Sequence, residues 1–190
     1  HNKGIDIKQF ALVTDWVVIV LSTVFFTACL LSPLLSLFLP PAYHDVIYLL
    51  PACMLFPVFY TLSETTVVGM NVARKTGYSI IVTLLPLALN LLLCYLLIPK
   101  YLAGGAAVAV SAAFLLYLLL RTEVSKKSWE KFNTTKLYIV AIFLLINALW
   151  PALTYSVLPW YVNLINLLVI MLLYRERLTS LKQDITAIKS

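Results

Sequence analysis

The chain has 190 residues, of which 62% are hydrophobic and only 12% are charged, and its mean hydropathy is +0.96. Soluble domains carry roughly 25% charged residues, so this composition excludes an ordinary soluble domain. The net charge of +6 is not a nucleic-acid signal, because the positive residues flank long apolar segments, where they set membrane orientation and meet anionic lipid. We therefore expect membrane lipid, and no nucleic acid, as a partner.

Apolar segments follow one another along the chain, most of them near the length of about 20 residues that crosses a hydrocarbon core. We predict an all-α membrane protein with six transmembrane helices, A to F, over residues 10–39, 45–72, 77–98, 102–120, 137–154 and 157–174. Span A is long for one crossing and must tilt or protrude. The run from E to F is too long for one crossing, which predicts a hairpin turning around residues 156–159.

The positive residues support this count and give an orientation. Thirteen of the fourteen Lys and Arg residues fall on one side of the six spans, and only Lys100, between C and D, lies opposite. By the positive-inside rule, both ends of the chain and the basic loops, including the D–E loop 121–136, are cytoplasmic. Beyond span F, residues 175–190 place apolar residues at helical spacing among charges. This pattern predicts either an amphipathic helix on the cytoplasmic face or a frayed charged tail.

Two local patterns concern how the helices bend and pack. Prolines inside the spans remove a backbone N–H, free a carbonyl and kink the helix, which predicts either helices that bend during a working cycle or static irregular packing. They are Pro33 in A, Pro51 and Pro57 in B, Pro86 in C and Pro151 in E. In span D, Gly105, Ala109 and Ala113 recur at four-residue spacing, forming a small-residue face that lets another helix approach closely.

Ionisable residues inside a membrane span are costly and raise a functional hypothesis. Glu64 in span B lies ten residues before Arg74, or about 15 Å along a helix. We predict that it is a lumen-facing carboxylate that binds a coupling proton or cation; the alternative is a neutral or paired Glu that packs against a neighbouring helix. Asp15 in span A is a second candidate, for which helix capping or a surface pair with Lys8 is the simpler interpretation.

Two further sets are candidates for substrate contact. Arg74 and Lys75 end span B on the predicted cytoplasmic side, where paired cations attract a phosphate group; topological anchoring is the alternative. Four asparagines inside the spans can line a cavity and contact sugar hydroxyls, or can hydrogen-bond between helices. They are Asn90, Asn147, Asn163 and Asn166. The three cysteines lie inside spans without metal-ligand spacing, so we predict no metal site, disulfide or cofactor.

Three motifs are more specific than the spans themselves. They are the outer turn Leu37-Phe38-Leu39-Pro40-Pro41-Ala42-Tyr43, the helix end and basic turn over residues 68–76, and the run from Asn90 through Leu97-Ile98-Pro99 to Gly105-Ala106-Ala107-Val108-Ala109. Together they resemble the C-terminal part of Wzx-type polysaccharide flippases, of the multidrug/oligosaccharidyl-lipid/polysaccharide transporter superfamily. The chain departs from the family pattern at Pro40 and at Leu102, because the family usually has glycine at both places.

The resemblance implies that residues 1–174 form the C-terminal six-helix lobe of a two-lobe transporter whose N-terminal lobe is missing from this chain. It implies a flippase that moves lipid-linked oligosaccharide, a polyprenyl-pyrophosphate sugar, from the inner to the outer leaflet of the bacterial inner membrane by alternating access. Such transport supplies surface polysaccharides such as the O-antigen of lipopolysaccharide. The implied partners are the lipid-linked substrate and the missing lobe, and no enzymatic activity is expected.

Other functions remain open from the sequence. A cation-coupled multidrug antiporter of the same superfamily suits Glu64, although the loop motifs resemble the polysaccharide branch more closely. A membrane-embedded sugar transferase or polymerase needs acids, bases or metal ligands in its interfacial loops. The outer turns offer only His44, Asp45 and Lys100 for such chemistry. A passive structural or assembly subunit predicts no phenotype when Glu64 is replaced.

Overall fold

The computed structural model describes residues 7–67, 77–128 and 133–175, and this part of the chain is helical and contains no strand. Four helical segments are long and apolar enough to cross a membrane, and a further apolar helix is shorter. The all-α prediction is therefore confirmed for the described residues. The helices are α1 (Ile7–Leu31), α2 (Val46–Thr66), α3 (Gly77–Ser128), α4 (Thr135–Thr154) and α5 (Trp160–Leu173).

Helix α1 stops before the predicted end of span A. The prediction ran to residue 39, but the α-helix ends at Leu31 and gives way to a 3₁₀-helix over Ser32–Leu37. Pro33 has no N–H to donate to the carbonyl of Cys29, and the hydroxyl of Ser32 donates to that carbonyl instead, at 2.9 Å. The apolar sequence continues here, while the regular α-helical hydrogen bonding does not.

Predicted spans C and D lie in the single helix α3, which is broken at one residue. Leu102 has φ 48° and ψ −125°, a backbone conformation that favours glycine. The chain folds back at this point, since a Cβ added to Gly105 would lie 2.5 Å from the carbonyl oxygen of Leu97. We call residues 77–101 the first arm of α3 and residues 103–128 the second arm.

The second arm is longer than predicted span D. The prediction ended D at residue 120 and made 121–136 a loop, which is wrong over 121–128 because the helix continues to Ser128. Three of the charged residues that suggested a loop, Arg121, Glu123 and Lys126, form ion pairs instead. The carboxylate of Glu123 accepts hydrogen bonds from Lys126 and from Tyr138 of α4, both at 2.7 Å. Opposite charges three residues apart stabilise a helix.

Helices α2 to α4 alternate in direction as the charge pattern requires. The hydroxyls of Thr66, at the end of α2, and Thr122, in the second arm, are 2.8 Å apart. At the other end of the molecule, the hydroxyl of Tyr155, just after α4, donates to the carbonyl of Tyr101, at the end of the first arm, at 3.0 Å. The chain between α4 and α5 is non-helical over residues 155–159, where the E–F hairpin was predicted.

Burial is uneven across the helices. Side chains of α1, α2 and α4 meet in a core that includes Phe25, Phe26, Leu55, Phe59 and Leu144. The first arm of α3 instead exposes a series of leucine and isoleucine side chains along its length. Such a surface suits contact with lipid or with another membrane domain.

Candidate functional site

Helix α2 and the second arm of α3 lie side by side and run in the same direction. Their facing residues keep a nearly constant separation along the chain, so each turn of one helix meets the corresponding turn of the other. Three successive pairs of contacting residues show this register: Phe56 with Phe114, Tyr60 with Tyr117, and Glu64 with Arg121.

The close approach of these two helices rests on small residues. Ser111 donates from its hydroxyl to the carbonyl of Ala52 on α2, at 2.8 Å. Ala109 and Ala113, on the small-residue face predicted from the sequence, are both buried. Ser111 and Ala52 are themselves small, so the two helices meet directly here, whereas Ala109 and Ala113 lie about 160° from Ser111 around the helix and face away from α2.

The aromatic pairs sit one turn beyond this contact. The rings of Phe56 and Phe114 meet edge to face, with centroids 4.4 Å apart and an interplanar angle of 69°. The rings of Tyr60 and Tyr117 are nearly parallel, at an angle of 6°, with centroids 6.4 Å apart. The four rings form a continuous aromatic surface along the α2–α3 contact.

This surface is one wall of a cleft between α2 and the two arms of α3. The cleft has a volume of about 310 Å³, within the range of small-molecule pockets. The opposite wall is formed by Thr83, Pro86, Leu87 and Asn90 of the first arm. Among the described residues, Asn90 is the one predicted substrate-contact residue that lines it. We call this space the aromatic cleft.

An ion pair stands next to the aromatic cleft. The guanidinium of Arg121 donates to the carboxylate of Glu64 at 2.5 Å and to the hydroxyl of Ser63 at 3.1 Å. It also lies over the ring of Tyr117, 5.3 Å from the ring centroid. The Arg121 side chain is only 13% exposed, whereas that of Glu64 is 43% exposed. The cation is thus enclosed by its partners, and the carboxylate is open on one side.

The depth of Glu64 in the membrane stays a prediction. It sits in the last described turn of α2, and its partner Arg121 is one residue beyond the predicted end of span D. The prediction measured its depth from Arg74, which lies outside the described residues together with Lys75. The ion pair marks the predicted cytoplasmic end of the aromatic cleft rather than its middle.

The other predicted site residues lie elsewhere. Asp15 is near enough to Tyr174, at the end of α5, to interact with it electrostatically, and it does not line the aromatic cleft. The side-chain amide of Asn166 donates to the side-chain oxygen of Asn147, which joins α5 to α4. These two asparagines make the interhelical hydrogen bond that was the alternative to substrate contact. Asn163 is buried at a separate pocket.

Arg121 and the aromatic rings were not predicted as site residues from the sequence. Arg121 was assigned to a cytoplasmic loop, where a positive charge needs no partner. A signal was nevertheless present, because two spans carry the same order of two aromatic residues and then a charge at helical spacing. One run is Phe56, Tyr60 and Glu64, and the other is Phe114, Tyr117 and Arg121.

The lining defines the chemistry that the cleft can support. Aromatic faces offer flat contact area to a ring, and a guanidinium is a strong partner for phosphate oxygens. In the part of the chain that the structure describes, no group of three or more His, Cys, Asp or Glu side chains is placed to hold a metal ion. No family model, curated protein or solved structure matches this chain.

Proposed function

We propose that this chain is the C-terminal lobe of a flippase that moves lipid-linked oligosaccharide from the inner to the outer leaflet of a bacterial inner membrane. The observation that carries the proposal is the aromatic cleft with the Glu64–Arg121 pair at its end. Aromatic faces suit the sugar rings, and an enclosed guanidinium suits a pyrophosphate. The motifs that resemble the flippase family favour lipid-linked oligosaccharide as the substrate.

In this proposal the chain crosses the membrane six times: α1, α2, α4 and α5 cross once each, and each arm of α3 crosses once. An arm of about 25 residues is about 37 Å long, which exceeds a hydrocarbon core of about 30 Å. Both ends of the chain are then cytoplasmic, and the Glu64–Arg121 pair lies near the cytoplasmic surface. The N-terminal lobe of the full protein closes the other side of the transport path.

The ion pair gives the proposal a mechanism. A pyrophosphate arriving from the cytoplasmic leaflet competes with Glu64 for the guanidinium of Arg121, since both are anions with oxygen acceptors. Displaced from its partner, the Glu64 carboxylate is free to bind a coupling proton or cation. Binding of the substrate and binding of the coupling ion are thereby linked through Arg121. Rocking of the two lobes then opens the transport path to the other side of the membrane.

One alternative is favoured by a specific feature. The carboxylate of Glu64 is half exposed beside aromatic rings, and an organic cation binds well to both kinds of group. A cation-coupled multidrug antiporter of the same superfamily uses that chemistry without needing Arg121 as a phosphate partner. The two functions therefore differ in whether loss of the arginine abolishes transport.

The test uses cells that lack the full-length gene. We expect lipid-linked oligosaccharide to accumulate in the cytoplasmic leaflet, and the intact gene to relieve this. A Tyr117→Leu variant should fail to relieve it, whereas Tyr95→Leu should succeed, because Tyr95 is 80% exposed on the first arm outside the cleft. Normal distribution of the lipid-linked sugar, together with sensitivity to cationic drugs, would replace the flippase by the antiporter.

A further inference from the structure

A second cavity lies at the predicted outer end of the molecule, where the end of α1 meets the start of α5. Its volume is about 260 Å³. The end of α1, the chain between α4 and α5, and the first turn of α5 all line it, through residues that include Leu30, Leu158, Trp160 and Asn163. It shares no lining residue with the aromatic cleft. We call it the outer cavity.

The start of α5 brings backbone donors to the outer cavity. The first N–H groups of an α-helix have no carbonyl partner within the helix, and here they belong to Trp160 and Tyr161. The residue before them, Pro159, lines the cavity and supplies no side-chain cap. The first turn also contains no acidic residue to balance the partial positive charge of the helix dipole. The start of α5 therefore suits an anion with oxygen acceptors.

Asn163 points independently to a ligand. It lies in the first turns of α5, lines the outer cavity and is only 3% exposed. Its side-chain amide makes no hydrogen bond to the described residues, whereas the amides of Asn147 and Asn166 bond to each other. A buried amide without a partner is costly, above all in a membrane, where water is scarce. The amide of Asn163 thus adds a side-chain donor to the backbone donors at the same cavity.

The remaining lining and the size of the outer cavity limit the kind of ligand. No charged residue is among the described residues that line it, and most of its lining residues are apolar. Pockets that enclose a whole small molecule have volumes of about 300–1,000 Å³, and the outer cavity is smaller. The cavity therefore suits one polar group of a larger molecule whose other parts lie outside it.

An apolar row on α5 leads from the outer cavity toward the predicted membrane interior. Its members recur at four-residue spacing and so lie along one side of the helix. They are Trp160, Leu164, Leu168 and Leu172, and each is between 38% and 68% exposed. Such a row suits a hydrocarbon chain, and a tryptophan at its outer end suits the boundary between lipid headgroups and chains.

We propose that the outer cavity binds a phospholipid of the outer leaflet, with its phosphate at the start of α5 and one acyl chain along the row that begins at Trp160. The phosphate oxygens accept hydrogen bonds from the free backbone N–H groups of α5 and from the amide of Asn163. Because residues of α1 also line the cavity, the bound lipid stabilises the contact between α1 and α5. This binding does not depend on the proposed transport activity.

Purified full-length protein, stripped of lipid in a non-ionic detergent, tests the site. Three probes are added separately: a phosphatidylethanolamine, a diacylglycerol with the same chains, and inorganic phosphate. Native mass spectrometry measures retained lipid, and thermal unfolding measures Tm, which a ligand of the folded state raises. We expect only the phospholipid to be retained and to raise Tm. An equal effect of diacylglycerol would show binding of the chains alone, and an equal effect of inorganic phosphate would show a free-anion site; either result overturns the proposal.

A pair of variants locates the phosphate through one backbone N–H. Trp160→Pro removes the N–H at the first position of the helix, where proline is well tolerated. Pro159 already has the extended backbone, with ψ 138°, that the residue before a proline requires. Trp160→Leu also lacks the indole but keeps the N–H, so it is the matched control. We expect Trp160→Pro to bind the phospholipid at least about tenfold more weakly than Trp160→Leu, because a hydrogen bond to a charged group is lost.

A third variant removes the side-chain donor. Asn163→Leu replaces the amide by an apolar group of similar size and should also weaken phospholipid binding by at least about tenfold. If this variant fails to fold, the two Trp160 variants decide, since the Trp160 side chain is exposed. Equal affinity of Trp160→Pro and Trp160→Leu, or undiminished affinity of folded Asn163→Leu, would overturn the proposal. The flippase proposal is tested separately by the leaflet in which lipid-linked oligosaccharide accumulates.

Discussion

Arg121 and Glu64 join α2 to the second arm of α3 through an ion pair of 2.5 Å, in which the arginine is enclosed and the carboxylate is half open. The two partners therefore have different environments. Arg121 depends on Glu64, Ser63 and the ring of Tyr117 to replace its hydration, whereas Glu64 retains contact with its surroundings. A pair of this kind can open on the side of Glu64, where another anion can take the place of the carboxylate against the guanidinium.

The first prediction concerns the energy of this pair. In a double-mutant cycle with Glu64→Gln and Arg121→Gln, we expect a coupling free energy of about 0.5–1 kcal/mol, since the Glu64 side chain is 43% exposed. The same cycle with Glu123→Gln in place of Glu64→Gln should give a value near zero. Chemical or thermal unfolding in nanodiscs measures both. Additive effects of Glu64→Gln and Arg121→Gln would show that the pair contributes nothing.

The second prediction concerns the break in α3. Leu102 combines a positive φ with ψ −125°, a sparsely populated conformation that costs a residue with a Cβ about 1–3 kcal/mol. Leu102→Gly should therefore raise the free energy of unfolding by about 1 kcal/mol, after the extra flexibility of glycine in the unfolded chain is subtracted. Ala103→Gly, at the adjacent helical position, is the control and should lower it. Destabilisation by both changes would place the break elsewhere.

The third prediction is a pH dependence at Glu123, beyond the predicted end of span D. Hydrogen bonds from Lys126 and Tyr138 lower the pKa of Glu123 below its ordinary value of 4.5, against a smaller opposing effect of burial. The unfolded chain thus takes up the proton first as pH falls. The stability that Glu123 contributes is fully present above pH 4.5 and is lost as the pH falls through the lower folded pKa.

Glu123→Gln supplies the comparison for that prediction. The difference in Tm between the unmodified protein and this variant should shrink as the pH is lowered from neutral, because only the unmodified protein loses the charged interaction. Thermal unfolding over a pH series measures the difference. A constant difference across the series would mean that the Glu123 contacts do not form in the folded protein.

The fourth prediction concerns orientation in the membrane. Single cysteines replace Lys100 and Lys126 in a cysteine-free background, and an impermeant thiol reagent is added to intact cells. We expect labelling at position 100 only, because the positive-inside rule places position 126 in the cytoplasm. Labelling at 126 and not at 100 would invert the topology, and the Glu64–Arg121 pair would then face outward.

The sequence predicted the helices better than their ends. Span E, 137–154, matches α4 except that the helix begins earlier, at Thr135. The agreement is close because a continuous apolar run predicts a membrane-spanning helix directly. The predicted end of span D was wrong, because a run of charged residues is typical of a loop. The partners of these charges on other helices are visible only in the structure. Arg121 and Glu123 lie in the helix and contact α2 and α4. These are tertiary contacts, which the local sequence does not show.

The candidate site was predicted in part for the same reason. Glu64 was recognisable as a lone acid in an apolar span, and Asn90 as a polar residue that can line a cavity. Tyr60 and Tyr117 looked like ordinary membrane aromatics, since their shared surface depends on the parallel register of two helices far apart in the chain. The sequence already showed that Leu102 departs from the pattern of the resembled family. Its unusual backbone conformation could be seen only in the structure.

Transport by the reconstituted full-length protein tests the central claim most directly. Proteoliposomes carry labelled lipid-linked oligosaccharide, and an impermeant reagent reports the fraction on each side of the bilayer. We expect the unmodified protein and Tyr95→Leu to move the lipid, and Glu64→Gln, at a normal protein level, to abolish or uncouple its movement. If the unmodified protein leaves the labelled lipid on its original side, or if Glu64→Gln transports it unchanged, the account is contradicted.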